Sequence, residues 1–204
     1  MKISYAIPVC NEHIELEKLL SFLIKLIDKE DEIIVQCDKG NTTPEVYKVL
    51  NSLNQSYIEF PLNGHFSNFK NNLKEHCTGD WIFQIDADEL PHKSLITNLK
   101  SLLELNPTVE MFLVPRVNTV EGLTQEHINK WRWSVNEKSW VNWPDYQTRI
   151  IQNSPKIKWQ NKVHEQIIGI STKGALPMEE EWCLYHLKNI DRQEAQNQFY
   201  ENIR

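Results

Sequence analysis

The segment Asp86-Ala87-Asp88-Glu89 places three carboxylates within four positions, directly after the run Trp81-Ile82-Phe83-Gln84-Ile85. Two carboxylates one residue apart can offer oxygen ligands to a hard divalent cation, and such a cation can bridge two phosphates. Acidic residues at a strand end also cap helices or stand in solvent, so the pair alone is not diagnostic and its surroundings must decide. The run before it has the composition of a buried strand. In an open parallel sheet, ligands bind beyond the carboxyl ends of the strands, where the loops diverge.

The elements that must position this cluster are readable from periodicity. Ile3 to Val9 reads as a buried strand, followed by Asn11 as a helix cap and by Leu16, Leu19, Leu20, Leu23 and Ile27 at helical spacing. Glu32 to Cys37 is a second strand, and Thr43-Pro44-Glu45 is a cap with proline in the first helical turn. Tyr57 to Phe60 is a third strand; Phe66, Phe69 and Leu73 mark a helix face that Thr78-Gly79-Asp80 ends. Trp81 to Ile85 is the fourth strand, and Leu95, Leu99, Leu102 and Leu103 mark the helix after the acidic cluster.

This alternation predicts an α/β chain with a mostly parallel, Rossmann-like sheet flanked by helices. Met111 to Val117 adds a strand. Past Trp131, the short pieces Tyr146 to Gln152, His164 to Ile170 and Cys183 to Lys188 predict a smaller mixed β region, and Asp191 to Arg204 a last helix. With no repeat and no low-complexity linker, residues 1–204 are expected to form a single domain.

Composition narrows the function. The chain has 204 residues, 40% hydrophobic and 25% charged, enough for one sizeable core. Its formal net charge is −6 and it has no basic block, which argues against a nucleic-acid partner. Polar Asn11-Glu12-His13 interrupts the N-terminal apolar run before a signal peptide can build up, and no stretch of about 18 uncharged apolar residues follows. A cytoplasmic protein without a transmembrane segment is expected. Cys10, Cys37, Cys77 and Cys183 form no CxxC pair and are expected as buried free thiols. Six of the seven tryptophans lie in the second half. Most are expected in the core, with one or two of Trp131, Trp133, Trp140 and Trp143 lining an acceptor site. The segment Val117 to Trp143 is expected to be mobile and to carry specificity.

Ile7-Pro8-Val9-Cys10-Asn11-Glu12 resembles the opening strand and loop of family 2 glycosyltransferases. Gly79-Asp80-Trp81-Ile82-Phe83-Gln84-Ile85-Asp86-Ala87-Asp88-Glu89 resembles their strand leading into the DxD motif, and Asn68-Phe69-Lys70-Asn71-Asn72-Leu73 stands where the family has a helix facing the donor. Pro144-Asp145-Tyr146-Gln147-Thr148-Arg149-Ile150 and Val163-His164-Glu165 are similar to a bacterial subgroup that builds lipopolysaccharide core sugars. The resemblance implies the GT-A fold, with residues 1–115 as the nucleotide-sugar-binding half and 116–204 as the acceptor-binding half.

It further implies a metal-dependent transfer from a UDP- or GDP-sugar to a glycan or glycolipid hydroxyl. Pro8, Asn11, Glu12, Asp38, Asn68, Asp86 and Ala87 would hold the donor, and Asp88 and Asp86 would bind Mn2+ or Mg2+. His186 is a candidate third metal ligand, and Arg149 a candidate diphosphate or acceptor contact. The family's second strand usually ends in Asp-Asp-Gly-Ser, whereas this chain has Cys37-Asp38-Lys39-Gly40-Asn41. The later Glu-Asp pair that supplies the family's catalytic base has no clear counterpart. Glu165, between apolar Val163 and Ile167, is the preferred base for an inverting displacement, and Asp145 is the alternative. A sugar nucleotidyltransferase or a non-catalytic nucleotide- or carbohydrate-binding domain would share such a sheet. The nucleotidyltransferase would need a glycine-rich, basic loop after the first strand, and Pro8-Val9-Cys10-Asn11-Glu12-His13 contains no glycine.

Overall fold

The computed structural model describes residues 1–203. Its strands are β1 (Ile3–Val9), β2 (Glu32–Asp38), β3 (Tyr57–Phe60), β4 (Trp81–Gln84), β5 (Glu89–Pro91), β6 (Met111–Glu121), β7 (Val141–Gln152), β8 (Lys158–Gln160), β9 (Gln166–Ile168), β10 (Lys173–Ala175) and β11 (Leu184–Asn189). Its helices are α1 (His13–Leu23), α2 (Pro44–Ser52), α3 (Phe66–Glu75), α4 (Lys93–Leu105), α5 (Gln125–Trp131) and α6 (Ile190–Ile203).

One sheet runs in the order β3-β2-β1-β4-β7-β6-β11-β5, with β10 alongside β6. The strands β3, β2, β1 and β4 are mutually parallel. β7 then runs antiparallel to both β4 and β6, β11 is parallel to β6, and β5 is antiparallel to β11. The acidic cluster therefore leaves the sheet at β4 and re-enters it at β5, on the far edge.

Alternation along β1 explains the two layers. Ile3, Tyr5, Ile7 and Val9 pack with α1, α2 and α4 through Leu16, Leu20, Val46, Leu50, Leu95 and Leu99. Ala6 faces the other way, toward Ile82, Leu73 of α3 and Cys77 just past the end of that helix. All four cysteines are free; three are buried and Cys10 is partly exposed. No helix among the described residues is long and apolar enough to cross a membrane.

Several expectations change. α1 starts at His13 with Glu12 at the N-cap, and Asn11 is exposed. The Glu12 side chain makes no cap hydrogen bond to the first turn and instead reaches back to accept the backbone N–H groups of Cys10 at 2.9 Å and Asn11 at 3.0 Å, which fixes the loop before the helix. Only two of the seven tryptophans are core residues, Trp81 and Trp159, exposed by 6% and 7%. Trp182 is partly buried and packs against the main apolar cluster, whereas the other four pair near the surface, Trp131 with Trp133 and Trp140 with Trp143, because the polar segment that carries them lies outside the two apolar clusters. The expected strand over His164 to Ile170 shrinks to β9, since His164 has φ +52° and Gly169 φ +80°, both left-handed. β5 has three residues and ends in proline, too short for a periodicity to register.

The turn into β4 is held by a close approach that tolerates no side chain. A Cβ on Gly79 would meet the backbone N of Ser4 at 2.7 Å and the O of Lys2 at 2.9 Å. The Gly79 N–H also donates to Ser4 Oγ at 2.8 Å. Gly79→Ala is expected to destabilise the fold by about 1–3 kcal/mol through forced displacement of β1. Urea denaturation checks this, and an unchanged midpoint would contradict it.

Candidate active site

The period of two along β6, β7 and β11 builds one polar floor. Arg116 and Asn118 on β6, Asp145, Gln147 and Arg149 on β7, and His186 and Lys188 on β11 all line a cavity of about 410 Å³. Asp86 and Asp88 form its rim at the end of β4, Lys70 and Glu165 close one side, and Gln193 and Gln196 of α6 the other. Trp133 also lines it, whereas Trp140 and Trp143 line a separate surface cavity with Glu179, Glu180 and Glu181.

Beneath the rim, Glu89 is 1% exposed and sits between two guanidinium groups. Arg149 Nε donates to Glu89 Oε2 at 2.9 Å, and Arg149 Nη2 donates to Glu89 Oε1 at 2.7 Å and to Asp86 Oδ2 at 2.5 Å. Arg116 Nη1 donates to Glu89 Oε1 at 2.9 Å, while its Nε and Nη2 reach Asp145 Oδ2 at 2.9 and 2.6 Å. Burial pushes the Glu89 carboxyl up, but the charges of Arg149 and Arg116 outweigh it and hold the group below its ordinary value. Arg149, itself buried, is held in its charged form by Asp86 and Glu89 against the cost of desolvation. Its Nε and Nη2 are therefore engaged by Glu89 and Asp86, which makes it a positioning group for Asp86 where the sequence suggested a diphosphate or acceptor contact.

Asp145 is similarly occupied. Besides Arg116, Asn118 Nδ2 donates to its Oδ2 at 2.8 Å and Gln147 Nε2 to its Oδ1 at 2.7 Å. Burial raises its pKa, but Arg116 and these amides lower it further, leaving a weakly basic carboxylate. Glu165 has one hydrogen-bond partner among the described residues, the Lys70 ammonium, and it faces the cavity. Lys70 also lies 4.4 Å over the ring of Trp159. His164 beside it is exposed.

The Asn118 amide sets the chemistry of His186. Because its Nδ2 donates to Asp145, its Oδ1 faces His186 Nδ1 at 2.9 Å and accepts a hydrogen bond from the Nδ1–H. His186 Nε2 then lies 3.1 Å from Asp88 Oδ2, a contact that requires a proton or a cation between the two atoms. Burial raises the Asp88 pKa, and the hydrogen bond and charge of His186 bring it below its ordinary value. A carboxylate oxygen beside an imidazole nitrogen oriented from behind suits Mn2+ or Mg2+ as a two-residue site completed by phosphate and water. Among the described residues no group of three His, Cys, Asp or Glu side chains surrounds one point. Asp86 stands apart from the pair because Arg149 holds it.

The remaining predicted donor residues lie outside the lining of this cavity, at the carboxyl ends of β1, β2 and β4 and on α3. Pro8 pairs with Gln36 near the end of β1, and Ala87 is buried between the two aspartates. Asp38, 5% exposed, ties its own loop to the one after β3, accepting from Asn41 Nδ2 at 3.0 Å and Leu62 N at 2.8 Å. Asn68 lies in the first turn of α3 and lines a different cavity, with Asn71 and Lys158, rather than the one described above. Arg116, Asn118, Gln147, Lys188 and Arg192 were not anticipated. The first four lie two residues from an expected site residue or from one another, so the strand period was the signal that could have found them.

Residues 4–167 match the model of the family described as Glycosyl transferase family 2. No curated protein matches the chain. Among solved structures, residues 1–349 of S. aureus TarS superpose with a TM-score of 0.65 at 13% identity, covering 92% of this chain and 60% of that one. The same protein in complex with UDP-GlcNAc gives 0.63 at 14% identity, covering 92% and 59%. A glucosyl-3-phosphoglycerate synthase from Mycobacterium tuberculosis, solved with Mn2+ and UDP-glucose, aligns over 57% of this chain and 43% of that one, at 18% identity and TM-score 0.47. The chain thus spans about 60% of the length of the TarS fragment, and the likeness to TarS is one of fold, the mostly parallel sheet flanked by helices of the GT-A type.

The Glu89 cluster predicts a stability profile. Glu89→Ala leaves two buried guanidinium groups short of their counter-ion and should cost roughly 3–5 kcal/mol. Asp88, Glu89 and Asp145 are all more acidic folded than unfolded, so their stabilisation is complete above the unfolded carboxyl range near about pH 4 and is lost as pH falls through the lower folded values. Denaturation measured from pH 7 to 2 should show a shallower acid loss in Glu89→Gln than in the unaltered protein. Equal slopes would contradict the assignment.

Proposed function

Because the chain belongs to glycosyl transferase family 2, we propose that it moves a sugar from a nucleotide-sugar donor to an acceptor hydroxyl in the cavity between β4, β6, β7 and β11. The observation that carries this reading is the Asp88–His186 pair, 3.1 Å apart at the end of the parallel strands and oriented by Asn118. Bound there, Mn2+ or Mg2+ would neutralise charge on the departing nucleoside diphosphate.

The chain's own groups do the rest. Asp86, held by Arg149, presents its free oxygen toward the ribose side of the donor, while Glu12 and Asp38 accept from ribose or base N–H and O–H groups. Pro8, Asn11 and Ala87 shape the nucleotide's bed, and Asn68 supports that side from α3. Glu165 takes the proton of the acceptor hydroxyl as its oxygen bonds to the sugar C1 and the bond from C1 to the diphosphate breaks, giving inversion. Asp145 serves as the anchor for Arg116 and Asn118. Trp133 offers an aromatic face to the acceptor, a glycan or glycolipid such as a bacterial lipopolysaccharide core. The TarS complex with UDP-GlcNAc makes UDP-sugars the first donors to test. Four unpaired cysteines suit a reducing, cytoplasmic compartment.

Incubation with a panel of nucleotide sugars and Mn2+ should release nucleoside diphosphate, and Asp88→Asn should abolish the release. Binding without turnover would mark a non-catalytic module, and pyrophosphate release from a nucleoside triphosphate and sugar phosphate a nucleotidyltransferase. Glu165→Gln should lower turnover by about 10²–10⁴-fold while metal-dependent nucleotide binding persists; full activity would remove Glu165 as the base. Asn118→Ala should weaken Mn2+ binding roughly 10–100-fold, measured by titration calorimetry, because His186 loses the group that fixes its tautomer.

A further inference from the structure

Every carboxylate at the rim of the cavity already has a cationic partner. Asp86 and Glu89 share Arg149, Glu89 and Asp145 share Arg116, and Glu165 holds Lys70. The remaining acidic groups, Asp88, Glu12 and Glu15, share Arg192 in the first turn of α6. Arg192 Nη2 lies 3.2 Å from Asp88 Oδ2 and 3.4 Å from Glu12 Oε1, and Nη1 lies 3.0 Å from Glu15 Oε1.

The arginine pairs differ in how easily they can part. Arg149 and Arg116 are 4% and 17% exposed and hydrogen-bond to the buried Glu89, so neither can leave without stranding a charge. The Arg192 side chain is 30% exposed and reaches the site from α6, whose Gln193 and Gln196 cover the cavity. Asp88 Oδ2 is the atom it shares with His186. A divalent cation on that oxygen repels a guanidinium 3.2 Å away, so the two are alternatives.

We propose that Arg192 is the protein's built-in counter-ion for the metal-binding carboxylate, and that it passes to the donor's diphosphate when a divalent cation takes Asp88. Glu15 keeps Nη1 at the mouth of the cavity during the exchange, so Nη2 is released next to the place where phosphate oxygens arrive. A planar guanidinium suits two phosphate oxygens better than it suits the single Asp88 oxygen it touches now. α6 follows its arginine, so the cover over the cavity is loosened by the cation and drawn back by the nucleotide. This rests on the glycosyltransferase reading of the same site.

The two halves of the exchange have opposite signatures. In Arg192→Gln, Mn2+ alone should bind several-fold tighter than in the unaltered protein, because its competitor is gone. Nucleoside diphosphate in saturating Mn2+ should bind roughly tenfold more weakly, because a charge-assisted contact is lost. Arg192→Lys, which keeps the charge without the fork, should restore weak Mn2+ binding and recover only part of the nucleotide affinity. Both affinities are read by titration calorimetry, with circular dichroism confirming that the variants fold. Affinities that move together, or not at all, overturn the exchange while leaving the glycosyltransferase reading intact. If the unaltered protein binds neither Mn2+ nor any nucleoside diphosphate, that reading falls and the exchange falls with it.

Discussion

The burial of Glu89 between Arg149 and Arg116 is the constraint from which the rest of the site follows. Three charged side chains removed from water are tolerable only if each finds its partners at good geometry, and these do, through hydrogen bonds of 2.7 to 2.9 Å. Because the three residues belong to β5, β7 and β6, the cluster ties the loop after β4 to the antiparallel part of the sheet. Asp86 is then aimed by Arg149 and Asp145 by Arg116. Asn118 passes the orientation of Asp145 on to His186, and His186 meets Asp88. The rim of the cavity is thus arranged from below, by ion pairs.

The parallel half was legible because it is simple. β1 and β4 are buried almost throughout and the helices have apolar stripes, so the positions of β1 to β4 and α1 to α4 follow from local periodicity. The place of Asp86 and Asp88 just beyond β4 was legible because it is a matter of order along the chain. What lay hidden was pairing between distant segments. β5 is invisible alone, for its existence depends on β11, nearly a hundred residues later. Arg149 invited a ligand role because, seen in one dimension, a lone arginine on a strand has no reason to be buried; Glu89, sixty positions earlier, supplies that reason. Arg192 was unreadable for the same cause, since its three carboxylates come from α1 and the DxD loop.

The tryptophans show the opposite failure, a prior applied where the environment did not justify it. Large aromatic residues usually fill cores, yet Trp131, Trp133, Trp140 and Trp143 belong to a segment with too few apolar neighbours to bury them. They instead cover one another in pairs, with centroids 4.7 and 4.8 Å apart. The ring of Trp140 is also overlain by Lys138 at 4.4 Å. Aromatic surface held at a cavity mouth, instead of hidden beneath it, is surface that can meet a ligand.

The way this aromatic segment is joined to the sheet matters beyond the present molecule. β6 and β7 pair from Met111 opposite Ile151 to Asn118 opposite Val141, so the chain leaves the ladder and returns to it at neighbouring positions. The excursion between them behaves as a cassette on a hairpin. It can lengthen, shorten or be exchanged while the polar floor keeps its register, and loop closure grows costlier only with the logarithm of length. A lineage could therefore vary this one insert with the charged scaffold inherited unchanged.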